Sequence, residues 1–333
     1  MTRLILTFTD SGAGALKTAG LADCVIAFGR RFVWGQLQSP SGPDQSQLLR
    51  SAVTEASAPH WLDNLTDECL DEARSQGLGL VEFCERFDGV ELWIDPDPNA
   101  QLQMIWLLDY LRPHANVASR LSLVQTDFSI GGQRPEEVVR LRPQAVAIRH
   151  DHFEAAGAAW AAWRASTPEA WFDLLARDLN TLPHLRNSVV SLLEELPMRS
   201  SGLGATEMRM LELISAGHVH PYDLFPGYMK PNERQTFDYW EVGGLLDGLA
   251  HCPAPVVSGL DESPFDLDMH EDADRHARYK RSRLALTEFG KAVLAEADDF
   301  SRHNLLHRWW GGTELTNDRL WRWDPASQAL IAP

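Results

Sequence analysis

The chain has 333 residues, 44% of them apolar and 23% charged, with 12 tryptophans, a composition that folds rather than staying disordered and a length that calls for two domains. Its 47 acidic against 30 basic residues give a formal charge of −17, which excludes any global electrostatic pull toward DNA, RNA or an anionic membrane. The longest mostly apolar stretch, AAGAAWAAW at 155–163, is about half of the roughly 20 residues a bilayer demands, so no membrane segment is expected. Met1 leads into TRLILTFTD, which lacks a signal-peptide pattern and reads as a first strand, making the cytoplasm the expected location. Cys24, Cys69, Cys84 and Cys252 are scattered without a C-x-x-C pair and read as reduced, mostly buried thiols.

Four short apolar runs alternate with helical patterns in the first 130 residues, the mark of an α/β domain with a mostly parallel, Rossmann-like or flavodoxin-like sheet. The strands are LILTFT (4–9), CVIAFG (24–29), VELWID (90–95) and LSLVQT (121–126). Helices are expected from about Gly14 to Thr18 or Ala19, as an amphipathic pair between Asp44 and Arg86, and over Asn99 to Leu111. Beyond SIGGQRPEEV the composition turns helical, with FEAAGAAWAAWRAS and EAWFDLLARDL each opening on acidic residues that suit a helix N-terminus.

From residue 202, GLGATEMRMLELISAG offers Ser201 or Thr206 as N-cap and Gly217 as a stop. A helix in NERQTFDYWEVGGLLDGLAH follows, then strands PVVS and RLALT and a helix in TEFGKAVLAEADDF, an order that suggests a winged-helix-like element. The expected layout is therefore an α/β domain at 1–135, a helical linker or bundle at 136–200, a winged-helix-like domain at 201–300, and a tryptophan-rich tail at 301–333 that packs back on the body.

A DNA-reading winged helix would carry positive charge on its second helix, yet Glu233, Asp238, Glu241 and Asp247 stand there against Arg234 alone. The one basic cluster, RYKRSR at 278–283, follows seven acids between Asp261 and Asp274 and can pair with them. Charge thus argues against nucleic acid and for a protein-contact role for residues 201–300.

Gly12-Ala13-Gly14-Ala15-Leu16-Lys17 has two glycines of a dinucleotide fingerprint but lysine in place of the third, and no Gly-Lys-Ser/Thr follows. What survives is a strand, a small-residue turn and a helix N-terminus, with Asp10 and Ser11 at the strand's carboxyl end, where open parallel sheets bind ligands. Either Asp10 or Ser11 simply caps that helix, or the turn holds an anion. In WIDPDPNAQL, Asp95 and Asp97 are fixed near the same edge by prolines. Asp10, Asp95 and Asp97 would suit Mg²⁺ and phosphoryl transfer, or Asp97 would only cap the next helix. The pattern resembles the acid-then-Asp-x-Asp of topoisomerase-primase domains, which carry Glu at the first position. His303 and His307 have i, i+4 spacing with Asp299 a turn earlier, and the tail holds Trp309, Trp310, Trp321 and Trp323 around a Gly311-Gly312 turn.

FTDSGAGALKTAG, VELWIDPDPNAQLQMIWLLDYL, AWAAWRASTPEAW, GLGATEMRMLELISAG and RWWGGTELTNDRLWRWD together resemble the bacterial domain of unknown function 1835 family. The resemblance covers nearly the whole chain and implies no activity. Asp10, Ser11, Asp97, Gln101 and Leu102 match the family's pattern; Thr9 and Ala100 depart from it, and so do Arg30 and Arg31, which stand where members carry acids. The two arginines would suit an anionic ligand. The expected function is a binding or regulatory protein whose α/β domain takes a small anionic, nucleotide- or phosphate-like ligand through Asp10, Ser11, Gly12, Arg30, Arg31, Asp95, Asp97 and Gln101. Its helical module would contact a protein partner. The alternatives are a Mg²⁺-dependent phosphoryl-transfer enzyme or phosphodiesterase, and a DNA-binding regulator or interaction scaffold; no cofactor is named by the sequence.

Overall fold

A computed structural model describes residues 2–37, 49, 70–226 and 234–333. The chain divides into two compact units, one built from Met1–Phe32, Leu37–Ala165 and Asp173–Ser188, the other from Val33–Gln36, Ser166–Phe172 and Val189–Pro333. Most of the amphipathic pair expected between Asp44 and Arg86 falls outside the described residues.

In the first unit the chain runs β1 (Arg3–Thr7), α1 (Asp10–Thr18), β2 (Cys24–Ala27), α2 (Asp71–Gln76), α3 (Leu80–Cys84), β3 (Gly89–Ile94), α4 (Pro98–Leu111), α5 (Ala115–Ala118), β4 (Leu121–Gln125), α6 (Pro135–Leu141), β5 (Val146–Ala147) and α7 (His150–Trp163). All four strands read from the sequence are present. They form one sheet in the order β2-β1-β3-β4-β5, parallel except for the short β5. Parallel neighbours need crossovers, and the intervening helices supply them. The order reverses between β1 and β3, so the crevice beyond their carboxyl ends is the place where such sheets take ligands.

Successive strand residues alternate between faces. Ile5, Val25, Trp93 and Val124 form one apolar cluster with Ala13 and Leu16 of α1, Val138 of α6 and Ile130 of the turn after β4. The helix α4 is apolar nearly all round and is buried along almost its whole length, which fits its packing against α7. Phe32 packs edge-on against Trp106 of α4 and tilted against Trp160 of α7, with ring centroids 5.3 and 5.1 Å away, and the Trp163 indole N–H donates to the Phe32 carbonyl at 3.1 Å.

Three sequence expectations need correction here. The first helix begins at Asp10 rather than Gly14, and its N-cap is Thr9, whose hydroxyl accepts the Gly12 N–H at 3.1 Å; neither Asp10 nor Ser11 caps it. Cys84 and Cys252 are free, as expected, but Cys24 is disulfide-bonded. The Ser201-or-Thr206 cap also fails: the N-cap of that helix is Gly204, whose N–H is satisfied by the Glu207 carboxylate at 2.9 Å.

The second unit contains α8 (Glu169–Phe172), with α9 (Leu185–Leu193) starting before its main segment, then α10 (Ala205–Ser215) and α11 (Tyr239–Ala250). Next come β6 (Val257–Ser258), α12 (Leu267–Glu271), α13 (Ala273–Arg281), β7 (Ala285–Leu286), α14 (Glu288–Leu294) and α15 (Phe300–His303). The strands β6 and β7 pair antiparallel, with two helices between them in sequence. The chain ends in two hairpins, β8 (His307–Trp310) with β9 (Thr313–Thr316), and β10 (Arg322–Asp324) with β11 (Ala329–Ile331). His303 and His307 therefore share no helical face, because α15 stops at His303 and His307 opens a strand. The tail packs on residues 192–199: the Trp310 indole N–H donates to the Leu192 carbonyl at 2.7 Å and the Trp323 amide to Pro197 at 3.0 Å. Among the described residues no helix is long and apolar enough to cross a membrane.

Two helical glycines separate packing from propensity. A Cβ on Gly290 of α14 would stand 2.0 Å from the Val256 carbonyl oxygen, whereas one on Gly248 of α11 would meet nothing within 4 Å. Gly290→Ala is expected to destabilise by about 1–3 kcal/mol and Gly248→Ala to stabilise by up to about 1 kcal/mol, measured by chemical denaturation.

Candidate functional site

The segment leaving β3, Asp95-Pro-Asp-Pro-Asn-Ala-Gln101, ties together the exits of three strands. Asp95 is buried, and one carboxylate oxygen accepts the Ile130 N–H at 2.9 Å, fixing the turn after β4. Asp97 is the N-cap of α4 and accepts the Ala100 N–H at 3.0 Å, with Pro98 preset for the first helical position. Asn99 reaches the segment after β2: its amide donates to the Arg30 carbonyl at 2.8 Å while its oxygen accepts the Phe32 N–H at 2.8 Å. Gln101 donates back to the Asp95 carbonyl at 2.9 Å, and Gln103 accepts the Arg30 N–H at 3.3 Å.

That clamp sets Arg30. Its guanidinium lies 5.7 Å over the Trp106 ring, partly buried, and among the described residues it has no carboxylate partner. Burial lowers its pKa, the signature of a cation held with little water and no counter-charge. Arg31 lies close enough to Asp97 to oppose the rise that burial imposes on that carboxyl. The Gln101 Oε1 atom is fully buried and unpartnered.

Burial pushes the Asp95 carboxyl up to about 7; the Ile130 N–H pulls it down and the Asp97 charge adds to the rise. At neutral pH this group is near half-protonated, so the edge carries less negative charge than its three aspartates imply.

On the other side of the crevice, Asp10 and Ser11 are exposed in the first turn of α1. Gly12 is buried, and its N–H is taken by Thr9, so it is not open to an anion. The 3₁₀ turn Ile130–Gly132 joins the two halves: Asp95 holds Ile130, while Gly131 sits so close that a Cβ there would be 2.1 Å from the Ser11 hydroxyl. The structure thus groups Arg30, Arg31, Asp95, Asp97 and Gln101 around one turn, and Ser11 and Gly12 against the turn after β4. It does not assemble Asp10, Asp95 and Asp97 into a metal centre; among the described residues no group of three or more His, Cys, Asp or Glu side chains is placed to hold an ion.

Sequence reasoning missed Asn99, Gln103 and Trp106. For the two polar residues the signal is the pattern itself: Asn99, Gln101 and Gln103 stand at alternate positions in the first turns of a helix that is otherwise apolar up to Leu108, and buried polar groups must find partners.

The second unit has a cavity of about 390 Å³ walled by Trp34, Phe237, Leu245, Trp309, Trp310 and Leu315. Its charged lining is self-compensated, because Arg308 makes a bidentate pair with Glu207 at 2.9 and 3.0 Å. The basic cluster expected at 278–283 is likewise engaged in part: Arg278, with Arg275 before it, grips Glu262 at 2.5 and 3.1 Å.

Compared with known proteins, the chain matches no family model and no curated sequence.

The Asp95 shift gives a pH test. An aspartate at about 7 when folded and ~3.9 when unfolded makes the fold bind the extra proton, so stability falls as pH rises through that window and levels off above it. Asp95→Asn keeps the oxygen that accepts from Ile130 but cannot ionise. Its stability relative to wild type is expected to climb between about pH 4 and 7, by at most about 4 kcal/mol, and to stay constant above, as read from urea midpoints across pH.

Proposed function

We propose that the first unit is a receptor for a small anion, phosphate- or nucleotide-like, bound at the carboxyl edge of the sheet, and that the chain is a binding or regulatory protein. One observation carries the reading: Arg30 is a partly buried cation without a carboxylate partner among the described residues, held by Asn99, Gln103 and Trp106 at the edge where parallel sheets take ligands. A guanidinium so placed has lost water and, among the described residues, gained a ring face, and an oxyanion would restore its hydrogen bonds in bidentate form. The resemblance to the bacterial domain of unknown function 1835 family supports the same edge and belongs to the same proposal.

A Mg²⁺-dependent reaction at Asp10, Asp95 and Asp97 has less support, since Asp95 and Asp97 are already committed to the Ile130 and Ala100 amides. For the second unit we read α10, α11, the β6–β7 pair and α14 as a winged-helix-like module that contacts protein rather than DNA. Its exposed apolar side chains, Trp240 and Leu267, and the Glu262 clamp on Arg275 and Arg278 support that choice.

Inorganic phosphate, pyrophosphate and mononucleotides, titrated separately at fixed pH, are expected to raise the melting temperature, by about 2.7 kcal/mol of stabilisation at a hundredfold excess over Kd. Arg30→Gln should abolish the response, while Arg112→Gln, an exposed arginine paired with Glu154, should keep it. A wild-type chain that answers none of these anions, or an Arg30→Gln chain that answers equally, removes the proposal.

A further inference from the structure

Four side chains from separate parts of the second unit converge in one place. Tyr222 comes from the turn Pro221–Leu224, Tyr239 opens α11, His270 lies in α12 and His276 in α13. Three contacts join them in a row: His276 Nε2 to the Tyr222 hydroxyl at 2.8 Å, Tyr222 to Tyr239 at 2.7 Å, and Tyr239 to His270 Nε2 at 2.5 Å. A fourth contact, Tyr222 to His270 Nε2, is 3.3 Å. The two imidazoles lie with centroids 3.9 Å apart and planes tilted by 37°.

We infer that Tyr222, Tyr239, His270 and His276 form a binding site for one first-row transition-metal ion of the Zn²⁺ or Cu²⁺ class. The donor set is two imidazole nitrogens and two phenol oxygens, which suits borderline ions and not Mg²⁺ or Ca²⁺. Ligands at about 2.0–2.1 Å in a tetrahedron stand about 3.3 Å apart, so each of the three contacts in the row would open by less than about 1 Å to receive an ion.

Each imidazole that ligates through Nε2 carries its ring proton on Nδ1, which has no protein partner among the described residues. Each phenol that ligates releases its proton to solvent, and the ion sheds water; nothing is oxidised or reduced. Trp240, which is exposed, lies edge-on to His270 at 5.4 Å. A further oxygen, Tyr279 Oη, is buried without a partner beside Tyr222, the ring centroids 5.7 Å apart.

The test is a titration of the full chain with Cu²⁺, Zn²⁺ and Mg²⁺ at pH 7.5, read by calorimetry and by visible absorption. One equivalent of Cu²⁺ is expected to give a phenolate-to-metal charge-transfer band, and one of Zn²⁺ to bind, while Mg²⁺ gives neither. His270→Ala/His276→Ala should lower the affinity at least tenfold and remove the band, with folding checked by circular dichroism. If that variant does not fold, Tyr222→Phe/Tyr239→Phe, which keeps both rings, decides: the band should vanish. No band in wild type, or a stoichiometry and band unchanged in the variant that folds, overturns the inference.

Discussion

The exit of β3 is where the first unit's sheet edge is determined. Chains leaving parallel strands carry backbone groups that no ladder satisfies, and buried groups of that kind must be paired. In this unit one seven-residue turn does most of the pairing: Asp95 takes the amide of Ile130 after β4, Asn99 takes both sides of the Arg30–Phe32 backbone after β2, and Gln101 closes on Asp95. The prolines at 96 and 98 restrict the turn's dihedrals, so these side chains are directed before any contact forms.

The same economy creates the electrostatics. Holding Asp95 under cover raises its pKa, and holding Arg30 against Trp106 strips water from a cation with no carboxylate partner among the described residues. A scaffold that only needed stability would gain from a neutral residue at either place, because uncompensated buried charge costs free energy. The edge therefore combines a cation short of acceptors with a carboxyl that can sit protonated, an arrangement suited to an oxyanion.

Much of this was legible in the sequence. Four apolar runs spaced by helical patterns gave the parallel sheet, and Asp-Pro-Asp-Pro announced a rigid turn at its edge. Arg30 and Arg31 stood out as basic residues at positions where the resembling family is acidic. What escaped was which atom each polar group would meet. Asp97 as the cap of the next helix was one of the readings the sequence offered, and it holds, but the Ile130 amide that claims Asp95 lies 35 residues away and left no sign in the sequence. Thr9, one residue before the acids, outcompeted Asp10 for the α1 cap because it has the extended backbone an N-cap needs. The Tyr222, Tyr239, His270 and His276 row was invisible for another reason: its members are 17, 31 and 6 residues apart in succession, and only the tertiary fold brings them together.

The central claim is that Arg30 awaits an oxyanion. Crystals soaked in selenate, with anomalous diffraction recorded at the selenium edge, test it most directly. An anomalous peak within hydrogen-bond reach of the Arg30 guanidinium, absent from Arg30→Gln crystals, is the predicted result. Selenate ordered only elsewhere, or the same peak retained in Arg30→Gln, would contradict the account.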